Sequence, residues 1–112
     1  MGDAPKDKTK SEDHLQEIVR RVVEVAKPER IILFGSAARG QMGPRSDVDL
    51  LVIKGGRYKY HRLLEKMYAG LRGVEAAVDI VLVTPEQVKR YRNAHCLVIK
   101  PALADGREVY RA

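Results

Sequence analysis

Two aspartates one residue apart, Asp47 and Asp49, stand at the head of an apolar run, Asp-Val-Asp-Leu-Leu-Val-Ile. A third, Asp79, interrupts a second such run, Ala-Ala-Val-Asp-Ile-Val-Leu-Val. On a strand, residues i and i+2 share a face, so Asp47 and Asp49 point one way and Val48 and Leu50 point the other, into the core. Local propensity does not favour Asp in a strand. Two carboxylates about 4 Å apart repel by roughly 1 kcal/mol in bulk water, and by about 4 kcal/mol at an effective dielectric near 20. A divalent cation removes that repulsion. The plainer alternative is a pair of solvated acids at a strand end. Directly opposite residues on paired antiparallel strands have Cβ atoms about 5 Å apart. If the strand at 77–83 neighbours the one at 47–53 in this way, Asp79 joins the pair. Three carboxylates on one open sheet face suit two Mg²⁺ ions about 3.5–4 Å apart, clamping the oxygens of a phosphoryl transfer. Oxygen-only ligands fit Mg²⁺, which keeps waters and shares substrate phosphates.

An anion site is legible at Gly35-Ser36, with ten residues between it and Asp47. A Gly-Ser turn between a strand and a short helix offers free backbone N–H groups and a small hydroxyl. Gly35 lets the backbone approach a ligand closely. Arg39, one turn on, adds a fork of donors for phosphate. Taken alone, the turn is equally an ordinary strand–turn–helix with Ser36 as its cap.

The elements that must position these residues follow from periodicity and punctuation. Leu15, Ile18, Val19, Val22, Val23 and Ala26 mark one face of a first helix, which Pro28 ends. Thr9 and Glu12 have the spacing of a capping box ahead of it. Strands are predicted over 30–34, 47–53 and 77–83, with a second long helix from Tyr58 to Leu71 carrying Leu63, Leu64, Met67 and Leu71 inward. Ser36 heads a short helix from Ala37 to Gly40. "TPEQ" predicts another helix start, with Thr84 as cap, Pro85 first and Gln87 third. A short helix over Leu97 to Ala104, a turn at Asp105-Gly106 and an edge strand at Arg107 to Tyr110 close the chain. The expected fold is a small α/β domain, a mixed sheet with helices packed on one face. Residues 1–10 are expected to be a flexible tail, and 11–112 a single domain.

Composition narrows the function classes. Apolar residues make up 45% of the 112, enough for one modest core, with 5% aromatic and no Trp. No apolar run is long enough to span a bilayer and no signal peptide is present, so a cytoplasmic protein is expected. Cys96 is the single cysteine and excludes an internal disulfide. His14, His61 and His95 lack metal-ligand spacing. Met42 and Met67 read as loop and core. The net charge is +6, and the first 13 residues carry three Lys against four acids, so the excess belongs to the folded part. A positive domain suits an anionic ligand. The stretch "RYKYHR" interleaves Arg57, Lys59 and Arg62 with Tyr58 and Tyr60, a pattern that either contacts RNA or is a solvated helix start.

Gly35-Ser36, then Asp47-Val48-Asp49, with Asp79 on a later strand, resembles the DNA polymerase β-type nucleotidyltransferase superfamily. The fuller string "FGSAARG…SDVDLLV" is similar to its smallest branch, the minimal nucleotidyltransferase (MNT) domains, and the resemblance covers roughly residues 14–110. It implies a nucleotidyltransferase palm with ATP as substrate. Asp47 and Asp49 would hold both metals. Asp79 would hold the catalytic one and help deprotonate the attacking hydroxyl. Gly35 and Ser36 would bind the β and γ phosphates, with Arg39 supporting. MNT proteins often pair with a HEPN-domain toxin, modifying its Tyr hydroxyl as an antitoxin. The chain ends 33 residues after Asp79, so an acceptor delivered by a partner is expected. Two alternatives remain at this stage: a nucleotide-binding antitoxin acting by contact alone, and an RNA end-modifying enzyme.

Overall fold

Apolar side chains at helical spacing build the first element, and the strands alternate against it. The computed structural model describes residues 6–35, 48–74, 77–91 and 106–112. In chain order the elements are α1 (Lys6–Ala26), β1 (Arg30–Phe34), β2 (Val48–Ile53), α2 (Tyr60–Gly70), β3 (Val78–Val83), α3 (Pro85–Tyr91) and β4 (Arg107–Arg111). The helices expected over Ala37–Gly40 and Leu97–Ala104 lie outside the described residues.

Helix α1 begins at Lys6, three residues before Thr9. Its face Leu15, Ile18, Val22 and Ala26 is buried. On its outer flank Arg20 pairs with Glu17 and with Glu24, and Arg21 pairs with Glu17. Such i,i+3 and i,i+4 pairs add about 0.2–0.5 kcal/mol each. The last turn closes when the Lys27 N–H donates to Val23 at 2.9 Å. Lys27 then turns left-handed, φ 47°, and the buried Pro28 has no N–H to carry the helix on.

The four strands stand in the order β3-β2-β1-β4. β1 pairs antiparallel with β2 and with β4. The pairing of β2 with β3 is parallel, Asp49 opposite Asp79. This corrects the antiparallel geometry considered above. The physical reason is the connection: α2 returns the chain to the starting end of β2 before β3 begins, which is the way parallel neighbours must be joined. α2 itself is shorter than expected. The Tyr58 hydroxyl donates back to the Lys54 carbonyl at 2.8 Å, and Lys59 stays extended as the N-cap.

One sheet face carries the main core. Leu50, Val52, Ile31, Leu33, Ile80 and Leu82 meet the buried faces of α1 and α2, including Met67 and Leu71. The two helices are tied directly: Arg21 Nη1 donates to the last carbonyl of α2, 3.3 Å to Gly70, and to that of Arg72 in the turn after it, 2.8 Å. The alternate residues form a smaller apolar cluster on the other face, Ile32, Leu51, Ile53 and Val83, against which Val88 of α3 packs. α3 starts with the expected reciprocal cap. The Gln87 N–H donates to Thr84 Oγ1 at 3.1 Å, and the Thr84 N–H donates to Gln87 Oε1 at 2.9 Å. Glu29 gathers the end of the sheet remote from Asp49. Its N–H donates to Ile53, its carboxylate accepts from Gly55, and its carbonyl accepts from Ala112. β4 is an edge strand, clipped to β1 by Glu108, which accepts from Arg30 at 2.6 Å and also pairs with Arg111.

Two measurements check this architecture. Leu50 is fully buried between α1, α2 and the sheet. Leu50→Ala should therefore cost about 2–5 kcal/mol in urea unfolding. The second concerns acid. Hydrogen bonds from Arg20, then Arg21, hold the Glu17 carboxyl down from 4.5 to about 2. A carboxylate depressed in the fold contributes stability that is present above its unfolded value and lost as pH falls through its folded value. The melting temperature of the wild type should fall between pH 4.5 and about 2, and Glu17→Gln should flatten that dependence. The exposed position keeps the effect small and sensitive to salt.

Candidate active site

β1 ends where β2 and β3 begin, so Gly35, Asp49 and Asp79 lie along one line across the sheet. Phe34 stands opposite Asp49 on one side. Asp79 stands opposite Asp49 on the other. Neighbouring strands lie about 4.8 Å apart, so the two aspartates sit side by side. Both point to the face of Leu51 and Val81, away from the helical layer, because Leu50 and Ile80 occupy the main core. Val48 starts β2 by donating its N–H to Ala77 at 2.8 Å, which fixes the register at the acidic end.

Asp49 is half-buried and Asp79 exposed. The half-buried one abuts the turn. Gly35 has φ 77°, a conformation that side chains resist. A Cβ there would also run into Asp49, meeting its carboxylate oxygen and standing 3.4 Å from its Cγ. Glycine is required here on both counts. The turn and the acid share one small space that any side chain would fill.

Of the sequence-predicted site residues, the structure therefore brings together Gly35, Asp49 and Asp79. Ser36, Arg39 and Asp47 lie outside the described residues. Among the described residues, no three His, Cys, Asp or Glu side chains cluster as a metal site. Two carboxylates on adjacent strands are an oxygen-donor set that suits a hard divalent cation with waters or substrate oxygens completing its shell.

Sequence reasoning passed over Tyr68. Its hydroxyl accepts the Ile80 N–H at 2.9 Å, one residue past Asp79. β3 is an edge strand, and this bond holds its acidic end from the helical side. The available signal was an amphipathic ring on the flank of α2, whose apolar body packs while its hydroxyl seeks a partner. A groove of about 590 Å³ between α1 and β4 contains none of the candidate site residues. Among the described residues, no helix is long and apolar enough to cross a membrane.

Comparison with known proteins gives the fold its family. No curated protein matches the chain by sequence. Several solved structures match in fold, among them the following three. A Sulfolobus solfataricus protein assigned as a nucleotidyltransferase is 20% identical, with TM-score 0.62, over 99% of this chain and 92% of its own. A toxin-antitoxin structure with AMP-PNP is 18% identical, with TM-score 0.61, over 87% of this chain and 73% of its own. A mutant of the toxin-antitoxin MntA-HpeT is 20% identical, with TM-score 0.57, over 90% of this chain and 72% of its own. The sequence model of the nucleotidyltransferase domain matches residues 15–109, from the first core residue of α1 into β4. The chain belongs to the nucleotidyltransferase domain family.

Proposed function

We propose that this nucleotidyltransferase moves AMP from ATP to a tyrosine hydroxyl of a partner HEPN-type toxin, and that it acts as the partner's antitoxin. The observation that carries the reading is the packing of Gly35 against Asp49, with Asp79 in register beside it. A turn that tolerates no side chain, set against a pair of acids, suits a triphosphate laid along a divalent cation. The fold likeness to two toxin-antitoxin structures, one with AMP-PNP, supports a protein partner and an adenine nucleotide.

Roles divide by exposure. Backbone N–H groups at Gly35 and Ser36 bind the β and γ phosphates, with the Ser36 hydroxyl and Arg39 adding donors. Asp47 precedes Asp49 by two residues in the sequence, the spacing at which residues of a strand share a face. Asp47, Asp49 and Asp79 would hold Mg²⁺, two ions in the complete site. Bound Mg²⁺ supplies neutralisation of phosphate charge. Asp49, half-buried against the turn, serves the phosphates. Asp79, exposed on the outer strand, faces the direction from which an acceptor arrives, and accepts the proton of its hydroxyl. The acceptor oxygen bonds to the α-phosphorus as the bond from that phosphorus to the bridging oxygen breaks, and pyrophosphate leaves. The protein's contribution is positioning and electrostatic stabilisation.

Asp49→Asn and Asp79→Asn should each lower transfer by about 10²–10³ or more. In metal-free buffer Asp79→Asn should melt no lower than wild type, since it removes a like-charge repulsion at an exposed position. The readout is mass spectrometry of the co-expressed partner for an AMP adduct on Tyr. Wild-type adduct levels in either variant would sink the site. RNA tailing with no adduct on any protein would replace the acceptor.

Gly35→Ala tests the turn separately. It should weaken ATP binding in the presence of Mg²⁺ at least tenfold by calorimetry. It should also cost about 1–3 kcal/mol of stability from the left-handed backbone and the crowded carboxylate. Unchanged affinity would reduce Gly35 to a structural turn.

A further inference from the structure

We propose that the outer flank of α2 is a docking surface for single-stranded RNA, separate from the acidic site. The arginines of α1 and β1 are largely neutralised within the fold: Arg20 and Arg21 by Glu17, and Arg30 by Glu108. The side chains of Lys59, Arg62 and Lys66 are exposed, and none has an ion pair or hydrogen bond with a described residue. They recur at i, i+3 and i+7, one flank of a helix. With Tyr58 and Leu63 they line a shallow groove of about 280 Å³ that has no carboxylate in its wall. At 1.5 Å per residue the three cations span roughly 10 Å. Three like charges along one groove repel one another, and a chain of phosphates relieves that repulsion.

The aromatic residues decide for RNA over an acidic polypeptide. Tyr60 follows Lys59 of the groove wall in the sequence and is 44% exposed. Its ring meets His61 edge-on, centroids 5.2 Å apart. An exposed ring beside unpaired cations gives bases a surface to stack on while the phosphates are held, the arrangement by which single strands bind without sequence preference. Tyr58, by contrast, turns inward and bonds to Lys54, so it shapes the groove and is not a stacking face. The groove is remote from the acids in two directions. α2 packs on the sheet face opposite Asp49 and Asp79. It also starts beyond the end of β2, whereas Asp49 stands at its beginning. RNA held here is a tethered ligand, not the nucleotidyl acceptor.

The test is fluorescence anisotropy of a labelled, unstructured 20-nucleotide RNA across a salt series. The variant Lys59→Ala/Arg62→Ala/Lys66→Ala should lose at least tenfold in affinity at low salt. Its log–log salt slope should shallow by about 2, three phosphate contacts at roughly 0.7 each. Tyr60→Ala should lose about fivefold or more, the low end of one stacked base. A control of equal charge elsewhere, Lys89→Ala/Arg90→Ala/Arg107→Ala, should stay within about twofold of wild type. Arg62→Glu alone repeats the measurement with one substitution, and far-UV melting checks the fold of every variant. An equal loss in the control would overturn the proposal, leaving only net charge. Displacement of the RNA by a polyglutamate peptide at equal charge concentration, or no RNA binding at low salt, would also overturn it.

Discussion

The structure depends on one juxtaposition: two aspartates opposite each other on adjacent parallel strands. Two like charges so placed repel, and the more strongly the less water surrounds them. The rest of the domain compels the meeting. Leu50 and Ile80, the residues following the two acids, are locked in the main core, so strand alternation drives Asp49 and Asp79 to the opposite face. Slipping β3 by one residue would move Ile80 out of the core and Asp79 into it. The acids are thus held together by the apolar residues that alternate with them.

The two faces of the sheet divide the work along the strand direction. The helical face carries the main apolar core and joins α1 to α2. The other changes character along its length, from Ile53 and Val83 under Val88 at one end to Asp49 and Asp79 at the other. Leu51 and Val81 lie between, and Phe34 stands level with Asp49. A polar ligand at the acidic end would rest against this low-dielectric floor, where charge interactions are stronger than in water. The same gradient explains Gly35. The turn leaves β1 beside Asp49, and only a residue without a side chain fits both the backbone twist and the space.

Much of this was legible in the residues. Single acids in apolar runs announced the acidic face, and helical spacing announced α1 and its buried positions. "TPEQ" carried its cap in its own letters, because capping is local and its partners are three residues apart. The direction of the β2–β3 pairing was harder to read, since Asp49 and Asp79 meet in either sense and only the crossover through α2 decides. The start of α2 was obscured because Tyr58 fits a helical pattern, whereas a hydroxyl-to-carbonyl bond fixes it in the turn before the helix. Glu108 offered no signal at all. Its partner Arg30 is 78 residues away, and only strand pairing brings them together.

Among the described residues the sheet has two outer edges, β3 and β4, and the two are managed differently. An unpaired edge invites other chains to pair with it. On β4 the answer is charge: Arg107, Glu108 and Arg111 leave little apolar surface for a second strand, and Glu108 spends its carboxylate on Arg30 and Arg111. On β3 charge alone cannot serve, because Asp79 is the only ionisable residue in the strand and sits beside Asp49. A second acid along this edge would add to the repulsion already present. The Tyr68 hydroxyl occupies the Ile80 N–H from the helical side instead. That neutral bond blocks strand addition at the middle of β3 without adding charge near the acids. It leaves the opposite face of the same strand open at Asp79, so the edge is guarded on the side that packs and accessible on the side of the acids.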